Sequence, residues 1–295
     1  MIHAFSVDVE DWYQGIPVGD AFKAGAESRL ERGLDRLLAL MAEHGIRGTF
    51  FILGPLAQSH PHAVKRIADE GHEIGCHGWS HDLLYSMTPA RFAEETREAR
   101  DRIANVVGRP VTAYRAAYFS VTRQSLWALD ILASLGFRYD SSIFPIRNWR
   151  YGIEDFSRDP VRIETKSGAI WEFPISVVTR FGRTMPVSGG AYFRIYPYAL
   201  TRSNMRRCEE AGRPAIFYVH PWELDPQHPR VDFHLKPRLT HYINLRSTER
   251  KLKRLFHDFR FGSIADVIGS RASLSGGADR DALQARGVAG IAPLG

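Results

Sequence analysis

Cysteine is nearly missing from this 295-residue chain: Cys76 and Cys208 are the only two. Two thiols give no disulfide framework, and Cys76, in an apolar lead-in, reads as a small buried residue rather than a ligand. Long hydrophobic runs are also missing, since none approaches the ~20 residues needed to span a bilayer. The opening residues Met1-Ile2-His3-Ala4-Phe5-Ser6-Val7-Asp8 lack the basic-then-apolar pattern of an export signal, so the expected location is cytoplasmic. There is no zinc-finger spacing, no Gly-rich aromatic signature and no internal repeat, so no nucleic-acid partner is expected.

The chain does have the ordinary composition of a globular protein, 44% hydrophobic and 24% charged, with a modest net charge of +6. Its most concentrated basic stretch spans residues 230–260. There Arg230, Lys236, Arg238, Arg246, Arg250, Lys251, Lys253, Arg254 and Arg260 face Asp232, Glu249 and Asp258. That stretch reads as a solvated helix face; attraction to an anionic sugar, lipid phosphate or membrane surface is the functional alternative.

Apolar strand-like segments alternate with helix-like ones, which predicts a parallel α/β architecture. Strands are expected at 2–9, 48–53, 73–76, 112–116, 137–140, 169–173 and 215–219. Residues 28–44 carry Leu30, Leu34, Leu37, Leu38 and Met41 at helical spacing before Gly45. Thr88-Pro89 begins another helix, with Thr as cap and Pro in its first turn. Helices are also expected at 61–70, 122–135, 196–212 and 245–259. At least six β/α steps suggest a distorted or incomplete (β/α) barrel, TIM-like and of about seven strands. The expected division is a barrel at 1–225, a C-terminal extension packed on it at 226–268, and a disordered tail at 269–295, which is rich in Gly, Ala and Ser.

Chemistry gathers where apolar strands end, the usual place for it in α/β enzymes. His77 and His81, four residues apart, present two imidazoles to one ion, and Glu10 or Asp11 offers a carboxylate, making an open zinc-type set. Glu10 is preferred because residues two apart in a strand point to the same side as Asp8. Asp8, Arg115 and His220 occupy other strand ends. Together these clusters offer a metal site, a base, an oxyanion stabiliser and an acid, the parts of metal-assisted hydrolysis.

Several runs carry a resemblance. They are Phe5-Ser6-Val7-Asp8-Val9-Glu10-Asp11-Trp12, Gly48-Thr49-Phe50-Phe51, residues 72–81 (HEIGCHGWSH) and Tyr114-Arg115-Ala116-Ala117-Tyr118-Phe119. Tyr139-Asp140-Ser141-Ser142, Trp171-Glu172-Phe173-Pro174, residues 189–194 (GGAYFR) and His220-Pro221-Trp222-Glu223 complete the set. From residue 1 to about 268 the chain resembles the polysaccharide deacetylases of carbohydrate esterase family 4, with the nodulation-type deacetylase homology domain. More narrowly it is similar to the branch associated with exosortase/PEP-CTERM exopolysaccharide gene clusters.

The resemblance implies removal of N-acetyl groups from an exopolysaccharide or its lipid-linked or oligosaccharide precursor. It implies one divalent ion, zinc first with cobalt, manganese or nickel as alternatives, held by Glu10, His77 and His81, with Asp11 as the alternative to Glu10. Asp8 would be the base, oriented by Arg115, with the Tyr118 backbone N–H binding the oxyanion and His220 as acid, tuned by Asp140 or Glu172. Glu223 reads as a structural partner of its segment. Trp12, Trp79, Phe119 and Trp222 are candidates for stacking on sugar, with core packing as the equal alternative. The implied partners are an N-acetylated glycan and membrane-associated exopolysaccharide assembly machinery, at a site peripheral to the inner membrane. Glu10 stands where many relatives have Asp, the usual Gly after the acids is missing, and Ala117 stands where Pro is common, loosening the oxyanion loop. Two other readings use the same fold: hydrolysis of small amides or allantoin-like imides, and non-catalytic glycan binding.

Overall fold

The structure is a computed structural model that describes residues 1–148, 150–187 and 189–274. Its strands are β1 (Ile2–Val9), β2 (Thr49–Ile52), β3 (Glu73–Cys76), β4 (Ala113–Tyr114), β5 (Tyr139–Asp140) and β6 (Val161–Thr165). They continue with β7 (Gly168–Glu172), β8 (Val177–Arg180), β9 (Arg183–Pro186), β10 (Ile216–Val219) and β11 (Arg260–Gly262). β10, β1, β2, β3, β4, β5 and β7 lie side by side in that order, every neighbouring pair parallel, and β6 pairs antiparallel at the β7 edge. Among the described residues no ladder joins β7 or β6 back to β10. The barrel is therefore distorted, and Phe173, Ile175 and Val177 fill that side by packing with Ile216 and Tyr218.

Strand alternation separates two cores. Phe5, Val7, Val9, Phe50, Ile52, Phe217 and Val219 face the helices, whereas Ala4, Phe51, Ala113 and Tyr218 face the barrel interior. Ser6, Asp8 and Glu10 share parity with Ala4 and so belong to the interior set; all three are buried. Space there is tight: a Cβ on Gly75 would lie 2.5 Å from the Phe51 ring.

The helix Leu30–Glu43 forms where expected and buries Leu30, Leu34, Leu37, Leu38 and Met41. Its Gly33 lies against the Pro221 carbonyl, where a Cβ would come within 2.0 Å. Arg36 Nη1 donates to the Leu224 carbonyl at 3.0 Å, and Arg29 pairs with Asp225 at 2.6 Å. This helix therefore buttresses the turn that follows β10. The helix Pro89–Val107 begins on Thr88, whose hydroxyl accepts from Arg91 N, and ends at Gly108 in the left-handed region.

The C-terminal segment is bound tightly to β1. β11 pairs with Ile2–Ala4 while β2 pairs with Ser6–Val9, and Phe256 meets Phe5 edge-on at 5.0 Å. The basic stretch is only partly a solvated face. Leu252, Leu255 and Phe256 are buried, and Lys251 Nζ donates to the carbonyls of Phe193, Arg194 and Tyr196 at 2.8–3.0 Å. The expected boundary at 268 is also passed. A helix runs Ile264–Leu274, because Ile264, Val267 and Ile268 pack into the barrel interior cluster and carry the helix onward. The rest of the expected disordered tail, 275–295, lies outside the described residues.

Candidate active site

Glu10 follows β1, His77 follows β3, Arg115 follows β4 and His220 follows β10, so parallel pairing delivers all four to one end of the barrel. His81 arrives through a loop rather than a helix. Its φ of +57° and that of Gly78, +80°, fold residues 77–81 back on themselves. The Ser80 hydroxyl, on Glu95 at 2.7 Å, and the bond from Gly54 N to the Gly78 carbonyl at 2.9 Å fasten the loop.

Glu10 Oε1 lies 3.1 Å from His77 Nε2 and 2.8 Å from His81 Nε2. The three ligand atoms all lie within 4.8 Å of one another. His77 Nδ1 is 2.8 Å from the Arg115 carbonyl, which only accepts, so Nδ1 carries the hydrogen. His77 Nε2 is thereby the ring atom that faces the carboxylate, and two imidazole nitrogens and one carboxylate oxygen gathered this closely fit a divalent metal with open positions. Burial works against ionised Glu10, but the charges of His81 and His220 and the imidazole hydrogen bonds outweigh it and hold its pKa well below the ordinary range. Asp11 is not part of this set. It turns away, and its carboxylate accepts from Trp12 N at 2.9 Å and from Arg29 N at 3.2 Å, at the start of the helix Leu30–Glu43.

Asp8 is paired with the fully buried Arg115, Oδ1 to Nη1 at 2.6 Å. Arg115 also donates to Ser6 Oγ, Ser141 Oγ and the Ser141 carbonyl at 2.9–3.0 Å, and its guanidinium lies 4.3 Å from the Phe51 ring centroid. Four fixed contacts leave it one orientation. The following loop is not loosened by Ala117. Ala116 N donates to Ser142 Oγ at 2.8 Å, and Ser120 Oγ donates to the Ala117 carbonyl at 2.6 Å. Tyr118 and Phe119 both hold positive φ, +56° and +54°, a strained pair of the kind that clusters at functional sites. The Tyr118 ring lies 4.7 Å from that of His81.

His220 Nδ1 is 2.8 Å from Glu223 Oε1, which also accepts from the His220 backbone N–H at 3.0 Å. Glu223 Oε2 accepts from Arg194 Nε at 2.7 Å, both groups being buried. Burial pulls the His220 pKa down, but Glu10, Glu223 and Asp8 outweigh it and push it up to about 9. Asp140 and Glu172, the expected tuning acids, are elsewhere. They are hydrogen-bonded to each other, and burial raises both pKa values, Glu172 well above the ordinary range. Asp140 Oδ2 and Glu172 Oε2 have no further partner, which fits one shared proton. The pair supports the Arg115 loop instead, since Ser142 Oγ donates to Asp140 Oδ1 at 2.5 Å.

The expected sugar-stacking rings are mostly covered. Trp12 is buried between His228 and Phe22, with its Nε1 donating to the Glu27 carbonyl at 3.2 Å. Trp222 is sandwiched between His220 and His241, at 5.3 and 4.2 Å. Phe119 packs against Tyr218 and Phe144. Trp79 is half-buried, and a Cβ on Gly54 would come within 2.4 Å of its ring. Sequence reasoning missed the polar cleft of about 750 Å³ lined by Tyr85, Gln124, Arg147, Asn148, Arg150 and Tyr151. Arg150, in its lining, places its guanidinium 3.9 Å from the Tyr118 ring centroid.

Known proteins resemble this chain over parts of its length. A family model described as polysaccharide deacetylase matches residues 21–139, and one described as a domain of unknown function (DUF3473) matches residues 141–269. The chain is 34% identical over 119 residues to YheN of Bacillus subtilis, whose name assigns it provisionally to polysaccharide deacetylases; the match covers 39% of this chain and 42% of YheN. It is 29% identical over 113 residues to the peptidoglycan deacetylase of Helicobacter pylori, covering 38% of each. The chain thus spans less than half the length of either relative. A crystal structure from Mycobacterium smegmatis, also provisionally named a polysaccharide deacetylase, superposes with a TM-score of 0.62 at 21% identity. That superposition covers 92% of this chain and 90% of the other, so the fold is shared.

Proposed function

We propose that this chain, whose residues 21–139 match the polysaccharide deacetylase family model, is a metal-dependent hydrolase acting on N-acetylated hexosamine. The observation that carries this reading is the Glu10 carboxylate set between the Nε2 atoms of His77 and His81. A divalent ion on these ligands, zinc first, would supply Lewis-acid polarisation of the acetyl carbonyl and an activated water at neutral pH. Asp8, held in place by Arg115, takes the proton of the attacking water. The strained Tyr118 turn offers its backbone N–H to the oxygen that becomes negative as the C–O bond forms. His220, whose pKa Glu10 and Glu223 push up to about 9, gives its proton to the amide nitrogen as the C–N bond breaks. Acetate and a free amino sugar leave.

The cleft lined by Arg150 supports a glycan substrate over a small imide, because its open walls mix polar side chains with Ile146, Tyr151 and Ile153, as the mixed faces of several sugar units require. Within the same proposal, the substrate is an exopolysaccharide or its lipid-linked or oligosaccharide precursor, handled in the cytoplasm beside membrane assembly machinery. Among the described residues no helix is long and apolar enough to cross a membrane. Metal analysis of the purified protein should find about one divalent ion per chain, and His77→Ala with His81→Ala should lose both metal and acetate release. Full acetate release by that metal-free double variant, or activity confined to cyclic imides, would overturn the reading.

A further inference from the structure

The side of the molecule beyond His220 carries an apolar face that, among the described residues, has no partner. His220 stacks on Trp222 and Trp222 on His241, and His241 belongs to the helix Leu235–Tyr242. The same helix is bound through its carboxyl end, where Arg194 Nη1 donates to the carbonyls of His241 at 2.7 Å and Ile243 at 3.1 Å. His241 is turned inward at 7% exposure, whereas Leu235 and Leu239, one turn apart, are 63% and 58% exposed. Seven large hydrophobic side chains are exposed among the described residues. Four of them, Phe22, Ile195, Leu235 and Leu239, stand on elements that meet at the cluster of Trp12, Ile16, Trp222 and Leu245.

Charge selects the occupant of this face. Leu239 shares a groove of about 450 Å³ with Val231, Tyr242 and Ile243, and Arg230 and Arg238 line the same groove. Asp232 is the one acid in its lining and pairs with Arg238, so the groove's net positive charge comes from Arg230. Arg246 and Arg250 follow as exposed residues. A second copy of the chain would bring arginine against arginine, and two leucines fall short of the ~800 Å² per partner of a stable interface. A bilayer surface with anionic headgroups matches on both counts, since it takes leucines into the acyl boundary and arginines among the headgroups.

We propose that the Leu235–Tyr242 helix and its arginine rim dock on an anionic lipid surface, holding the mouth of the site at the bilayer. The docking stands independently of the chemistry. Its consequence, that the glycan processed there is one tethered to lipid, rests on the deacetylase reading.

The test is co-sedimentation of the whole chain with phosphatidylcholine vesicles, either alone or containing about one-third phosphatidylglycerol. Binding is expected with the anionic vesicles at about 0.1 M salt and should weaken at about 0.5 M. The Leu235→Ser/Leu239→Ser double variant should lose at least about tenfold in vesicle affinity, with acetate release from a soluble N-acetylated oligosaccharide unchanged. Failure to bind anionic vesicles, or equal binding to neutral ones, overturns the docking. So does a wild-type dimer that the double variant converts to monomer, which would assign the face to self-association. Vesicle binding without acetate release from any N-acetylated glycan would sink the deacetylase reading and leave the docking standing.

Discussion

Two carboxylate–arginine pairs flank the Glu10–His77–His81 triad, and they are wired with opposite sign. On one side Arg115 touches Asp8, the proposed proton acceptor, directly and fixes it in place. On the other, a carboxylate is interposed: Arg194 fixes Glu223, and Glu10 and Glu223 raise the pKa of His220, the proposed proton donor. The same two residue types thus serve a proposed base in one place and a proposed acid in the other, according to whether one link or two separates arginine from the working group. Their settings differ as well. Arg115 is held by groups on or next to strand ends inside the barrel, whereas Arg194 is held by carbonyls of the C-terminal segment.

The largest effect is expected from breaking the direct link. Arg115→Met leaves the Asp8 charge buried without a partner, at a cost of about 3–5 kcal/mol in stability. Acetate release should fall about 10²–10⁴-fold, read alongside thermal unfolding. A variant as stable as wild type would mean that Asp8 does not depend on this arginine. Glu223→Gln tests the interposed link. The His220 pKa of about 9 lies above its ordinary 6.5, so the proton is present in both folded and unfolded chains below 6.5. Between 6.5 and about 9 only the folded protein keeps it, and both its stabilising effect and its donation are lost as pH rises through about 9. Removing the Glu223 charge should move the alkaline limb of activity downward, with at least about a tenfold loss at pH 8. A limb that stays in place would locate the control of His220 elsewhere.

The smallest effect is expected at the acid pair that serves neither side directly. Glu172 retains its proton well above the ordinary carboxyl range, so above about 4.5 the unfolded chain releases a proton that the folded one holds. Stability contributed at this site therefore declines as pH rises. Glu172→Gln should stay within about 1 kcal/mol of wild type at neutral pH and flatten that decline, measured by denaturant unfolding at several pH values. A slope like that of wild type would place the shared proton elsewhere.

The metal-type triad was legible in the sequence because Glu10 and His77 immediately follow apolar strands and His81 lies four residues beyond His77, and strand parity separated Glu10 from Asp11. The partner of His220 was partly legible. Glu223 lies three residues on, and in a tight helical turn opened by Pro221 its carboxylate returns to the first residue, as a capping box does. Arg194 left no such signal, since 29 positions separate it from Glu223 and only the tertiary fold joins them. Trp12 and Trp222 misled because an aromatic beside a strand end looks the same in sequence whether its face is open or covered. The helix beyond residue 268 was hidden by small and polar residues, although Ile264, Val267 and Ile268 keep helical spacing.

β1 borders three other strands: β2 from early in the chain, and β10 and β11 from far later. The strand that carries Asp8 and leads into Glu10 therefore cannot complete its ladders until residues 260–262 have left the ribosome. Closing loops of more than 200 residues makes this a slow topological step, and an amino-terminal fragment keeps a bare strand edge exposed to self-pairing. The proposed base and metal ligand, though encoded first, are set in place last.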